Sequence, residues 1–432
     1  MRLSTTGRLT RSACVATIVA LFLSVTVLAA SAEENPKGFT IQYGNALEIE
    51  RNDGQVKIKL GGRIQGDFAS IHVSDFLNLA VPGEEGEGEG EGVEFRRARL
   101  YISGELFKRI IFKAQYDFTG NPTAFNDVYI GMKGLGPVGT VRVGHVKEPF
   151  GLEELNSSKY ITFMERAIGT IFDSGRNFGL MANNHHLDSR LTWAIGIFAP
   201  TDDQGSFFSD ETTFNATGRI TGLPYYEEDG RKLLHLGAAM SFRYARDFTG
   251  RIRQRPEAHL AAFYLDTGDF QRDSATLIDV ELGWVHGPLS LQGEYTHSWI
   301  NRPAASTASL YAGYIQVSYF LTGEHRGYKK SGGRFTWAEV KKSLDPANGG
   351  WGAWQIAARY SGIDLRDSGL NGGVEKNVTV GINWHPFSNT RLMLNYVWAD
   401  VDDSGDEDRS SFGITNASGH AHIIQARAQL EF

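Results

Sequence analysis

The sequence predicts an all-β protein: a transmembrane antiparallel β-barrel of about 16 strands whose third loop folds inward. Three observations carry that class. Apolar and polar residues alternate with period two in segment after segment, the signature of strands with one apolar and one polar face. The connections include both tight turns and long polar loops, the pairing that an outer-membrane barrel uses at its two rims. Beyond the N-terminus no run of about 20 apolar residues exists, which excludes helical membrane spans.

Composition agrees with this class and removes others. Glycine supplies 50 of 432 residues, aromatics 12% and hydrophobic residues 41%. That apolar content supports a large folded body and excludes global disorder. The single cysteine, Cys14, cannot build a disulfide scaffold. A net charge of −7 and a pI near 6.0 give no support to a nucleic-acid partner.

Taken in chain order, the first element is a leader. Arg2, Arg8 and Arg11 precede an apolar run ending in Ala30-Ser31-Ala32, the charged, apolar and small-residue regions of a secretory signal peptide over residues 1–32. The alternative is an N-terminal membrane anchor. Cys14 leaves with the leader, so the exported chain carries no cysteine. Residues 33–55 are expected to form a periplasmic N-terminal segment, and residues 56–432 the barrel.

The first barrel strand shows the pattern fully. Val56, Ile58, Leu60, Ile64 and Phe68 share one face, while Lys57, Lys59, Arg63, Gln65 and Asp67 share the other. Fifteen further segments follow, near 94–105, 109–118, 126–133, 140–146, 176–183, 190–198, 214–223, 233–246, 276–286, 288–299, 309–322, 351–363, 375–386, 390–400 and 420–432. Turns such as Gly134-Leu135-Gly136-Pro137 and His286-Gly287-Pro288 separate some of them. Long polar loops at 71–93, 147–175, 247–275 and 401–419 separate others. Phe68, Phe118, Trp193, Tyr244, Trp284, Tyr311, Trp384, Trp398 and Phe432 fall where interfacial aromatic girdles belong. Pairing of the last strand with 56–70 would close the barrel and leave no edge in lipid.

With the apolar face in lipid, the other face lines a lumen. Parity then turns Lys57, Lys59, Arg63, Arg97, Arg99, Lys113, Arg219 and Arg243 inward, a basic ladder inside an acidic chain. Rings of Arg and Lys suit an anion or phosphate pore, and the guanidinium fork can donate two hydrogen bonds to phosphate. A solvated lumen in which each base meets an acid, Asp67 or Asp117 among them, is the other reading. The loop at about 147–175 contributes Lys147, Lys159 and Arg166 beside Phe150, Leu152, Leu155, Tyr160, Phe163 and Met164. So apolar a loop would expose a large patch to water unless it folded into the barrel and narrowed it.

The stretches KLGGRIQGDF (59–68), EFRRARLYISG (94–104), AQYDF (114–118), VRVGHVKEPFGLEELNSSKYITFMERA (141–167) and HGPLSLQGEY (286–295) resemble the phosphate-selective porin O/P family. The resemblance runs in order from about residue 56 to the C-terminus. It implies a sixteen-stranded outer-membrane channel, usually trimeric, with an inward third loop, an arginine ladder and lysines at the constriction. Carried over by position, the ladder is Arg63, Arg97, Arg99, Arg219 and Arg243, and the constriction Lys147, Lys159 and Arg166. The implied cargo is inorganic phosphate or another small anion, diffusing passively to the periplasm through a barrel bounded by outer-membrane lipid.

Other signals carry less. The acidic run Glu84–Gly92 reads as a solvated external loop, and the acids of 402–408 lack the spacing of an EF-hand. His185 and His186 have no partnering Cys or spaced His for zinc. No HExxH, P-loop or GxSxG motif occurs. The expectation is therefore a channel without catalytic residue, metal or cofactor. A general or differently selective porin on the same frame, and a structural or adhesive barrel with a closed lumen, are the alternatives.

Overall fold

The computed structural model describes residues 38–44, 46–74, 89–120, 122–402 and 418–432. The expected leader at 1–32, most of the 84–92 acidic run and the acids of 403–408 lie outside the described residues.

Two short strands come first, β1 (Phe39–Tyr43) and β2 (Leu47–Arg51). The wall then begins with β3 (Val56–Val73), β4 (Gly90–Leu106), β5 (Ile110–Asp117), β6 (Ala124–Met132), β7 (Thr140–Lys147), β8 (Arg176–His186), β9 (Leu191–Ala199) and β10 (Thr213–Glu227). It continues with β11 (Lys232–Gly250), β14 (Phe270–His286), β15 (Leu289–Arg302), β16 (Ala305–Phe320), β19 (Ala353–Asp367), β20 (Leu370–Phe387), β21 (Thr390–Asp402) and β22 (Gly419–Glu431). Small strand pairs sit in two connections: β12 (Arg253–Gln254) with β13 (Leu265–Asp266), and β17 (Tyr328–Lys329) with β18 (Arg334–Phe335).

Each wall strand pairs antiparallel with its neighbours, and β22 pairs with β3 from Ala421↔Val73 to Glu431↔Arg63, closing a barrel of sixteen strands. Closure removes the last unpaired edge, which lipid could not satisfy. The C-terminal Phe432 is held there: the Gly62 amide donates to its carbonyl at 2.6 Å. A Cβ at Gly62 would lie 2.7 Å from the Phe432 ring and 2.5 Å from the Arg99 carbonyl, so the seam needs glycine. Below the seam, β2 takes the same edge of β3, pairing Leu47↔Leu60 to Glu50↔Lys57, and β1 pairs with β2. Residues 33–55 thus contain a hairpin added to the lower rim, which their five-residue alternations were too short to announce.

The outward face is apolar. Leu60, Ile64, Leu100, Ile195, Met240, Val280, Ile315, Ile382, Leu394 and Ile424 are exposed on the wall, an arrangement that a hydrocarbon surround stabilises and water does not. Rings stack near the rims, Trp354 on Trp384 at 5.4 Å at the lower end and Tyr295 on Tyr311 at 6.5 Å higher up.

The connections depart from the simple alternation. At the upper rim, 303–304 and 368–369 are two-residue turns, while at the lower rim, among short turns, residues 321–352 form a long connection. That lower connection turns into the lumen and buries Phe335 against Leu152, Leu233 and Val285. The upper segment 251–269, expected as an external polar loop, also folds in: buried Glu257 accepts from Arg359, Ser361 and Thr379. Among the described residues, three connections therefore enter the barrel where one was expected.

Candidate functional site

The third loop, residues 148–175, crosses the lumen and is fastened to the wall by its backbone. Its one turn of helix, α1 (Leu152–Leu155), begins against β15, where the Glu294 carboxylate accepts the amides of Leu152 and Glu153. Further along, Arg391 donates to the Ile161 carbonyl at 2.8 Å, Asn383 to Thr162 at 2.8 Å, and Asn395 accepts from the Met164 amide at 2.8 Å. Arg243 donates to the Phe172 carbonyl at 2.5 Å. Phe150, Leu152, Ile161, Phe163, Met164 and Ile168 are all buried, so the loop's apolar content is what places it inside.

The loop lies over β15 and β19–β22, where Glu294 of β15 and the arginines Arg359, Arg391 and Arg427 hold its backbone, and Asp279 of β14 lies beside it; the larger open space is on the β3–β8 side. On the open side is a cavity of about 480 Å³ lined, among the described residues, by ten basic side chains and one acid, Asp127. Arg63, Arg97, Arg99 and Lys113 come from the first wall strands, Lys147 and Arg176 from the ends of β7 and β8. Lys159 and Arg166 come from the third loop, Lys329 and Arg334 from the lower connection. Tyr101, Tyr129, Ser157 and Ser158 add hydroxyls.

Most of these bases have acid partners just behind them. Arg99 pairs with Asp117 at 2.5 Å, Lys113 and Arg176 share Asp127 at 2.5 and 2.7 Å, and Lys159 meets Glu431 at 2.6 Å. Lys147 and Arg166 both reach Glu154, at 2.8 and 3.1 Å. Burial alone would raise the Glu154 carboxyl, but these two cations outweigh it and hold it down at about 2. Arg63, Lys329 and Arg334 have no carboxylate within ion-pair reach among the described residues. Arg63 donates to Ser158 Oγ at 2.8 Å, and Arg334 to the Leu155 carbonyl at 3.3 Å. Partial desolvation of Lys329, with Arg334 nearby, depresses its ammonium below the usual lysine range. Buried arginines tied only to neutral oxygens leave positive charge for an anion to meet.

Seven of the eleven sequence-derived positions line this cavity: Arg63, Arg97, Arg99, Lys113, Lys147, Lys159 and Arg166. The structure puts the other four elsewhere. Lys57 and Lys59 sit on β3 at the lower rim, against the added hairpin, whose Glu48 and Glu50 pair with them. Arg219 turns inward but is bound bidentately by Glu281 at 2.7 and 2.6 Å, beside the Gly333 carbonyl. Arg243 lies beneath the far end of the third loop.

Four bases escaped the sequence reading. Arg96, consecutive with Arg97, would face lipid under strict alternation. A bulge between Gln65/Gly66 and the Arg97/Phe95 pairings turns both inward, and Arg96 forks onto Glu165 at 2.9 and 3.1 Å. Arg176 opens its strand on the outward parity yet reaches Asp127. Lys329 and Arg334 lie in a connection whose basic, glycine-rich stretch 326–334 was the available signal.

Comparison with known proteins bears on the family and the fold. The family model described as "Phosphate-selective porin O and P" matches residues 58–432. Porin O of Pseudomonas aeruginosa is 26% identical over 443 residues, covering 92% of this chain and 96% of that protein. An uncharacterized protein of Caulobacter vibrioides is 29% identical, covering 79% of this chain and 68% of the relative. Among solved structures, the outer membrane protein OmpT of Vibrio cholerae in its trimer form is similar with a TM-score of 0.52 at 10% identity, covering 87% of this chain and 99% of that one. The anion-selective porin from Comamonas acidovorans is similar at 0.50 and 12% identity, covering 87% and 100%. At these identities the structural likeness speaks for the fold.

Proposed function

The chain belongs to the phosphate-selective porin O and P family, and from that premise we propose that it passes phosphate and other small anions into the periplasm. It is an outer-membrane porin with the fold and family of a channel. We read the cavity as its constriction, with passive diffusion and no chemical step. The lower rim, with the hairpin of β1 and β2, faces the periplasm in this reading; residues 1–32 are the export leader, and the working unit is a trimer.

One observation carries the anion reading: among the described residues, ten bases and a single acid line the cavity. An entering anion exchanges part of its hydration for donors such as Arg63 and Arg334. Bases held by carboxylates present a weaker attraction, so an ion can bind and still leave. Phosphate is favoured over chloride in this reading because several guanidinium forks match its oxygens. The zero-current potential across a planar bilayer under a KCl gradient tests it. An anion-selective potential, with chloride current blocked by added phosphate, is expected; cation selectivity would overturn it.

A further inference from the structure

Behind the third loop, on the wall away from the basic cavity, lies a group of carboxylates that the anion pathway does not use. The register sets Glu281 of β14 directly opposite Glu294 of β15, and Asp279 two residues along on the same face. Like charges so placed destabilise a sheet unless something neutralises them. Carboxylate oxygens of Asp279, Glu281 and Glu294 all lie within 4.8 Å of one another.

Neutralisation is incomplete. Arg219 and His235 both bind Glu281. No cation stands within ion-pair reach of Asp279, Glu294 or the third-loop Asp173 among the described residues. Asp279 is only 2% exposed; its Oδ2 accepts from Thr296 at 2.7 Å, and its Oδ1 has no hydrogen-bond partner. Leaving such an oxygen bare in a buried site is costly. Next to it is a void of about 10 Å³ lined by Asp173, Asp279 and Glu294, with the hydroxyl residues Thr170, Thr296 and Tyr314. That is room for one small ion with its ligands supplied by protein.

We propose that this void holds a divalent cation, calcium, bridging the wall carboxylates Asp279 and Glu294 to Asp173 of the third loop. The donors are all oxygen, which selects a hard cation. A site with no space for retained water suits calcium better than magnesium, which dehydrates reluctantly. Glu294 also accepts the amides that begin α1, so an ion here would fasten both ends of the third loop to one wall and cancel negative charge inside an anion channel.

The test is calcium binding to the purified, detergent-folded porin after chelator treatment, followed with radioactive calcium, for the wild type, Asp279→Asn and Asp173→Asn. Heat-modifiable migration verifies that each variant is a folded barrel, and either folded variant suffices. The expected result is one tight calcium per wild-type chain that the folded variants lose, with any weaker binding by the acidic runs at 84–92 and 402–408 unchanged. Equal binding by wild type and folded variants would put calcium on other acids and overturn the proposal, as would no tight binding by the wild type.

Discussion

Replacing Arg63 by glutamine removes one unpaired charge from the cavity and keeps a donor in its place. Arg63 is anchored by Ser157 and Ser158 and lacks a carboxylate partner, so no buried acid is orphaned by the change. A monoanion about 5 Å from a guanidinium gains about 3 kcal/mol at an effective dielectric of about 20, and under 1 kcal/mol in bulk water. A wet constriction lies between, so the loss should be near 1.4 kcal/mol, about tenfold in affinity. The assay is phosphate block of chloride current through single channels, with Lys57→Gln as control because Lys57 is already paired with Glu48 and Glu50 at the rim. Arg63→Gln should raise the half-blocking concentration about tenfold, and the control less than about twofold. The gap should shrink from 0.01 M to 1 M salt, where the Debye length falls from about 30 to about 3 Å. Equal effects of the two substitutions would refute the assignment of the pathway to the unpaired bases.

Other consequences follow from the same geometry. Arg219→Gln strands Glu281 in the interior, so it should destabilise the barrel by about 3–5 kcal/mol, read as a lower unfolding midpoint in urea, while anion selectivity stays close to wild type. Replacing 324–350 by a short glycine-serine link should raise single-channel conductance, because that connection lines the cavity through Lys329 and Arg334; unchanged conductance in a folded variant would place it outside the path. Glu154 has its native pKa near 2, below the ordinary 4.5, so its contribution is complete above pH 4.5 and disappears as pH falls toward 2. Between pH 6 and pH 3 the wild type should therefore lose about 2 kcal/mol more stability than Glu154→Gln, measurable from paired thermal unfolding curves.

The barrel was legible because a one-residue slip exchanges the lipid and lumen faces of a whole strand, and that penalty keeps apolar residues in alternation from Val56 to Leu430. Arg63, Arg97, Arg99 and Lys113 were legible for the same reason. Arg96 was not, since a bulge cancels parity locally and has no composition of its own. Lys57 and Arg219 could be assigned a face but not partners: alternation says which face a side chain shares, and only register brings Glu48 to Lys57 or Glu281 to Arg219. The lower connection followed no rim rule; Phe335 and Arg334 enter the lumen because the third loop offers them Leu152, Leu155 and Asn156.

Occupation of the basic cavity between the third loop and β3–β8 by anions is tested most directly by crystals soaked in arsenate, a phosphate analogue visible by its anomalous scattering. An anomalous peak is expected inside the barrel, within hydrogen-bond reach of Arg63 or Arg334 and on the basic side of the third loop. Arsenate bound only at the barrel's outer surface, with the cavity empty of anomalous signal, would contradict it.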